Sequence, residues 1–198
     1  MAKQESNKDS TLENVVQALA TDNSETRKTN GEEKQGPLYK FFLDGLKDVY
    51  YVENVLIDAL KKLEDASTTE ELKDAFEDHR LQTKKHVSRI EKIFSHLDEE
   101  PEQKECAAIN GIITEAEEII KSTPEGSMTR DAALIIAAQK AEHYEIATYG
   151  GLAQIAITMG WKKVADLLED TLDEEEETDL DLTEIAEAFI NLDAEMES

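Results

Sequence analysis

In the stretch from Leu134 to Tyr149, apolar or small residues recur at Leu134, Ala138, Ala141 and Thr148 and continue at Leu152 and Ile155, the spacing of one helix face. Glu145 stands in that stripe, where a hydrophobe is expected. Glu142 lies one turn earlier on nearly the same face, because residues three apart are neighbours on a helix. Two carboxylates turned toward a core are costly unless something neutralises them. A bound cation is one solution, provided the rest of the chain supplies further ligands.

Three other stripes carry the same interruption. Phe42, Leu46 and Val49 lead to Glu53, and Leu56, Leu60 and Leu63 follow. Leu72 and Phe76 lead to His79, Thr83 and His86, followed by Ile90, Ile93 and Leu97, with Gln82 one turn from His79. Val164, Leu168 and Thr171 lead to Glu175 and Thr178, followed by Leu182, Ile185 and Phe189, and Asp179 comes four residues after Glu175. Each stripe is apolar at its ends and polar in its middle. In an antiparallel bundle those middles fall at one height, so the polar residues form a layer capped by apolar packing on both sides. Carboxylates and histidines projecting inward from facing helices are how bundle di-iron sites are built. Hard oxygen ligands with a few nitrogens suit iron or manganese better than structural zinc, which prefers Cys and His.

The polar layer has Glu53, His79, Gln82, His86, Glu142, Glu145, Glu175 and Asp179 as members. Each has a structural alternative: a buried ion pair or a hydrogen bond to a tyrosine for Glu53, the rim for Glu142, solvent for Glu175 within its acid run, a hydrogen bond to a carboxylate for Gln82, and hydrogen-bonded packing for a histidine such as His79. His143 projects away from Glu145, and Tyr50 or Tyr149 could reach the layer. A bundle without metal would gather Lys or Arg near these acids. Lys140 is the one nearby base on the third helix, and the second and fourth stripes offer none.

The elements that must position this layer follow from the same patterns. The first long helix is predicted from about Pro37 to Asp65, with proline in its first turn, where it is tolerated. Thr68 and Glu71 have the spacing of a capping box for a second helix over about 70–97. Residues 98–127, broken by Pro101, Pro124 and Gly126, contain a helical run with Ile113, Ala116 and Ile120 on one face, read as a crossover helix. A third helix starts near Thr129 and ends at Gly160, and a fourth begins near Trp161. The run from Asp173 to Asp181 holds seven acids in nine residues. Only Glu175, Thr178 and Asp179 point with the stripe there, and the others are free to face water. Together these predict an all-α, antiparallel four-helix bundle with a crossover helix between the second and third helices. The bundle spans residues 37–192, after a disordered polar tail over 1–36 and before a frayed terminus over 193–198.

The composition narrows the function. A formal net charge of -25 argues against nucleic acid and anionic membranes as partners. Cys106 is the single cysteine, which excludes an intrachain disulfide and fits a reducing compartment. No apolar run is long enough to span a bilayer, and the amino terminus lacks the pattern of a signal peptide. The expectation is a cytoplasmic protein.

From about Leu38 to Ala188 the chain resembles the YciE/YciF family of ferritin-like bacterial stress proteins. The resemblance is carried by Arg130-Asp131-Ala132-Ala133-Leu134, by the segment from Ala137 to Gly150 and by Thr171-Leu172-Asp173-Glu174-Glu175. Leu46-Lys47-Asp48 with Glu53, and Ala75-Phe76-Glu77-Asp78-His79, also match. It implies a ferritin-like bundle with a carboxylate-bridged dinuclear metal site, and Glu53, His79, Glu142, Glu145, Glu175 and Asp179 as site residues. It further implies two iron ions, or manganese, a reaction with oxygen or peroxide in a stress setting, and a homodimer. Gln82 departs from the family's usual Glu and leaves the site one carboxylate short. The competing expectation is a non-catalytic structural or interaction bundle of the stress response whose metal site is degenerate.

Overall fold

The computed structural model describes residues 36–197. The polar tail expected over 1–36 lies, apart from Gly36, outside the described residues. The helices are α1 (Pro37–Ala66), α2 (Glu70–His96), α3 (Ala107–Ser122), α4 (Met128–Thr158) and α5 (Lys162–Ile185). A π-helical turn, Ala186–Ile190, then leads into α6 (Asn191–Glu195). The described residues are otherwise turns and connections. α1 pairs with α2 and α4 with α5, and the two hairpins close through α2 against α5 and α1 against α4. The crossover helix α3 lies against α4 and α1.

Every stripe read from the sequence as core-facing on α1 and α2 is buried, including Glu53, His79 and His86. Two apolar clusters form. One contains Leu56, Leu60, Leu72, Phe76, Leu134, Ala138, Leu182 and Ile190. The other contains Phe42, Leu46, Ile90, Phe94, Tyr149, Leu152, Val164 and Leu168. Along α1 and α5 the two clusters are met in opposite order to α2 and α4, the signature of an antiparallel arrangement in which α3 must carry the chain back along the bundle. The polar middle of each helix sits between the clusters. At 1.5 Å per residue a helix of 30 residues, such as α1, is about 45 Å long, so this layer is many ångströms from either end.

Local signals decide the ends. Gly160 takes φ 75° after α4, while Trp161 N–H donates to Ala156 O (2.9 Å) and Gly160 N–H to Ile157 O (3.0 Å), a Schellman ending. Asp98 ends α2 in the same way at φ 53°, with Glu99 N–H on Phe94 O (3.0 Å). At Gly45 a Cβ would meet Leu152 Cδ2 at 2.9 Å, so glycine lets α1 and α4 approach there. The predicted capping box at Thr68 and Glu71 is not used. The fully buried Asp131 of α4 takes its place, accepting from Thr68 N–H (2.7 Å), Thr69 N–H (2.9 Å) and Thr69 Oγ1–H (2.9 Å). α4 starts at Met128, beside the expected Thr129, and Ser127 caps it by accepting from Arg130 N–H (3.1 Å). Arg130 in turn ties down the preceding loop through Ile120 O (3.0 Å) and Thr123 O (2.5 Å). Residues 193–197, expected to fray, instead run on as helix to Glu195. The Glu197 carboxylate accepts from Met128 N–H (2.7 Å) and Thr129 N–H (3.0 Å), an anion at a helix N-terminus.

Candidate metal centre

Glu53 comes from α1, His79 and His86 from α2, Glu142 and Glu145 from α4, and Glu175 from α5. All six side chains are buried. Their ligand atoms fall into two groups of potential metal ligands: His79, Glu142, Glu145 and Glu175, and Glu53, His86 and Glu175. Glu175 belongs to both, so it can bridge two ions. Within the first group His79 Nε2 lies 3.3 Å from Glu142 Oε1, and His79 Nδ1 lies 4.0 Å from Glu175 Oε2. Within the second, His86 Nδ1 lies 3.0 Å from Glu175 Oε1 and 3.5 Å from Glu53 Oε2.

These atoms approach one another without the alignment that hydrogen bonds require. Glu53 Oε2, His79 Nε2, His86 Nδ1, Glu142 Oε2, both oxygens of Glu145 and both of Glu175 are buried with no hydrogen-bond partner. Buried polar atoms are almost always paired, so a cluster of orphans demands an occupant. Their chemistry is that of a cation site, carboxylate oxygens with imidazole nitrogens. No lysine or arginine pairs with Glu53, Glu142, Glu145 or Glu175 among the described residues. Lys140 instead reaches across to Glu115 on α3 (2.6 Å).

A second layer of contacts aims the ligands. Tyr149, fully buried, donates to Glu53 Oε1 and so leaves Oε2 turned to the second group. His86 Nε2 meets Glu174 Oε2 at 2.7 Å, and Arg89 holds the same carboxylate at 2.8 and 3.1 Å while donating to Thr171 Oγ1 at 2.7 Å. A carboxylate on the far nitrogen fixes a histidine's orientation and leaves the near nitrogen for a metal. Thr83 donates to His79 O (2.9 Å), and Thr178 Oγ1 lies 3.4 Å from His79 Nδ1.

The electrostatics follow from burial. Loss of water raises the pKa of Glu142 and Glu145 well above the ordinary carboxylate value, and neighbouring Glu175 adds to it. Burial also raises Glu53, though His86 opposes it. His79 is held below its usual value by desolvation, which keeps its ring neutral. For His86 burial pulls down, but Glu175 and Glu53 outweigh it and raise its pKa to about 10. Glu174 is pushed up by partial burial, yet Arg89 and His86 win and hold it below the usual range. Burial and Glu53 lift the Tyr149 hydroxyl well above 10.

Asp179, expected among the ligands, stands outside both groups. Four residues past Glu175 is about 40° of further rotation on a helix, which turns its carboxylate to the α4–α5 flank, 3.6 Å from the exposed His143. Gln82 is half-buried beside His79 and lines a cleft there. His86 is absent from the ligand set that the family resemblance implies, Glu174 is expected to be free to face water by its place in the acid run, and Arg89 has no expected role in the sequence. The available signals were spacing: His86 is two turns from His79 on one face, Arg89 one turn beyond His86, and Glu174 adjacent to Glu175.

Residues 38–195 match a family described as a domain of unknown function (DUF892). Protein YciF of Escherichia coli is 44% identical over 155 residues, 78% of this chain and 93% of YciF. The crystal structure of that stress protein superposes with a TM-score of 0.74 at 42% identity, covering 78% of this chain and 97% of the other. YcfI of Rhodopseudomonas palustris superposes with a TM-score of 0.73 at 32% identity, covering 75% of this chain and 94% of that one. A Xanthomonas campestris protein at 22% identity and TM-score 0.63, covering 81% and 97%, shares the fold. No described helix is long and apolar enough to cross a membrane. The helical bundle thus finds its counterpart among known proteins, and the chain belongs to the DUF892 family and is a relative of the stress protein YciF.

Proposed function

We propose that this is a cytoplasmic stress-response protein whose buried layer binds a pair of iron or manganese ions and reacts with oxygen or peroxide. The observation that carries the reading is the convergence of unpartnered carboxylate oxygens and imidazole nitrogens into two groups that share Glu175. One ion is assigned to Glu53, His86 and Glu175, the other to His79, Glu142, Glu145 and Glu175. The chemistry such a pair supplies is electron exchange with dioxygen or peroxide.

The chain's own residues do the preparatory work. Tyr149 holds Glu53 in register. Glu174, fixed by Arg89, holds His86 and receives its Nε2 proton's hydrogen bond. His86 and the raised carboxyls give up their protons as a cation arrives. The surrounding apolar clusters exclude bulk water. A cavity of about 30 Å³ under α3, lined by Leu56, Leu60, Ile113, Ala116, Ala138 and Glu142, supports the oxygen reading, since it is apolar and borders a ligand.

A second reading has one observation in its favour. With its pKa raised to about 10, His86 is an internal cation between Glu53 and Glu175, which eases the layer without metal. It leaves Glu142 and Glu145 unrelieved. Elemental analysis after anaerobic iron loading of the full chain decides between them. About two ions per chain, abolished by Glu142→Ala with Glu175→Ala, is expected of a bundle site of this type. A metal content near zero supports the non-catalytic bundle. The homodimer expected from the resemblance belongs to the same proposal and is read by light scattering.

A further inference from the structure

Two described cavities border the layer, and they differ in kind. The one under α3 offers a cation little besides Glu142, and its wall includes the Lys62–Glu117 ion pair (2.6 Å). The other is a cleft of about 110 Å³ between α2 and α5. Asp78 and Asp181 are exposed at its rim, Gln82 and Thr178 line its half-buried walls, and the His79 ring, 4% exposed, closes its inner end. Thr178 donates its own proton to Glu174 O (3.0 Å), which turns its oxygen as an acceptor toward the cleft's inner end, 3.4 Å from His79 Nδ1. A divalent cation sheds water readily only where other oxygens replace it, and an apolar passage cannot do that.

Resting on the metal-binding reading above, we propose that the α2–α5 cleft is the route by which a divalent cation reaches the buried layer. Asp78 and Asp181 capture it, Gln82 and Thr178 replace its waters, and His79 hands it on to Glu142 and Glu175. Gln82 is then a neutral oxygen that passes an ion along, where a carboxylate would hold it.

Stopped-flow uptake of Co(II) by the metal-free full-length chain, followed by visible absorption, tests the route. The variant Asp78→Asn with Asp181→Asn keeps size and exposure. Loading is expected to slow by about tenfold, the low end of what a local field does to on-rates, with the final stoichiometry unchanged. A control variant, Asp173→Asn with Glu176→Gln, removes equal charge from exposed positions elsewhere on α5 and is expected to load at the wild-type rate. Equal slowing in both variants would reduce the effect to overall charge and overturn the route, as would an unchanged rate in the first or a lost stoichiometry. Lack of any uptake by the wild-type chain overturns the metal reading itself, a separate result.

Discussion

Replacing Glu145 by glutamine has opposite consequences with and without metal. In the metal-free chain both Glu145 oxygens are buried without a partner, and burial with Glu175, Glu53 and Glu142 nearby raises its pKa well above 4.5. A raised folded pKa means that the folded state binds more protons than the unfolded one. Stability from this group is therefore present at acid pH and is lost as pH climbs from about 4.5 toward the folded value. At pH 7.5 protonation costs at most about 4 kcal/mol, three units at 1.36 kcal/mol each, and an unrelieved buried polar group costs about 1–3 kcal/mol. Glu145→Gln removes the charge at constant volume and adds donors facing acids. It is expected to stabilise the metal-free chain by about 1–4 kcal/mol, roughly 2–4 °C in Tm per kcal/mol for a domain of this size. The gain should shrink at pH 5.5. With metal the order reverses, because wild type gains about 2.7 kcal/mol at a ligand concentration one hundred times Kd and the variant, having lost a ligand, gains less. Thermal unfolding by circular dichroism, after chelation and after Mn(II) addition at both pH values, gives all four comparisons. A metal-free variant less stable than wild type at pH 7.5 would refute the reasoning, because Glu145 would then be a satisfied structural group.

Asp131→Ala removes the acceptor of three hydrogen bonds at the α1–α2 turn and should cost about 2–4 kcal/mol, read as a lower urea midpoint at unchanged m. Gly160→Ala forces a Cβ into φ 75° and should cost about 1–2 kcal/mol in the same assay while metal content stays at the wild-type level. Gln82→Glu adds a carboxylate beside His79 and should tighten Mn(II) binding in calorimetric titration; weaker or unchanged binding would place Gln82 out of reach of the ion.

The bundle was legible because its stripes are long and regular. Phe42, Leu46, Val49, Leu56, Leu60 and Leu63 hold the heptad spacing over about six turns, and all are buried. The crossover was legible from the prolines and glycine that break residues 98–127. The polar layer was legible for a physical reason: a Glu or His in a core stripe is expensive, so Glu53, His79, Glu145 and Glu175 stood out against their neighbours. What could not be read off was rotation within a turn. Asp179 lies near the edge of its stripe while His86 lies on its own, and interhelical packing decided that His86 faces Glu53 while Asp179 faces His143. Arg89 and Glu174 meet across α2 and α5, a pairing with no local signal. Asp131 displaced the predicted capping box for the same reason, since its partners lie 62 and 63 residues away.

The measurement that bears most directly on the metal centre is anomalous diffraction from crystals of the full chain soaked in Mn(II). The account predicts two peaks about 3.5–4 Å apart on either side of Glu175, one against Glu53 and His86, the other against His79, Glu142 and Glu145. A map without peaks in the layer, or with manganese only at the Asp179–His143 flank, would contradict it.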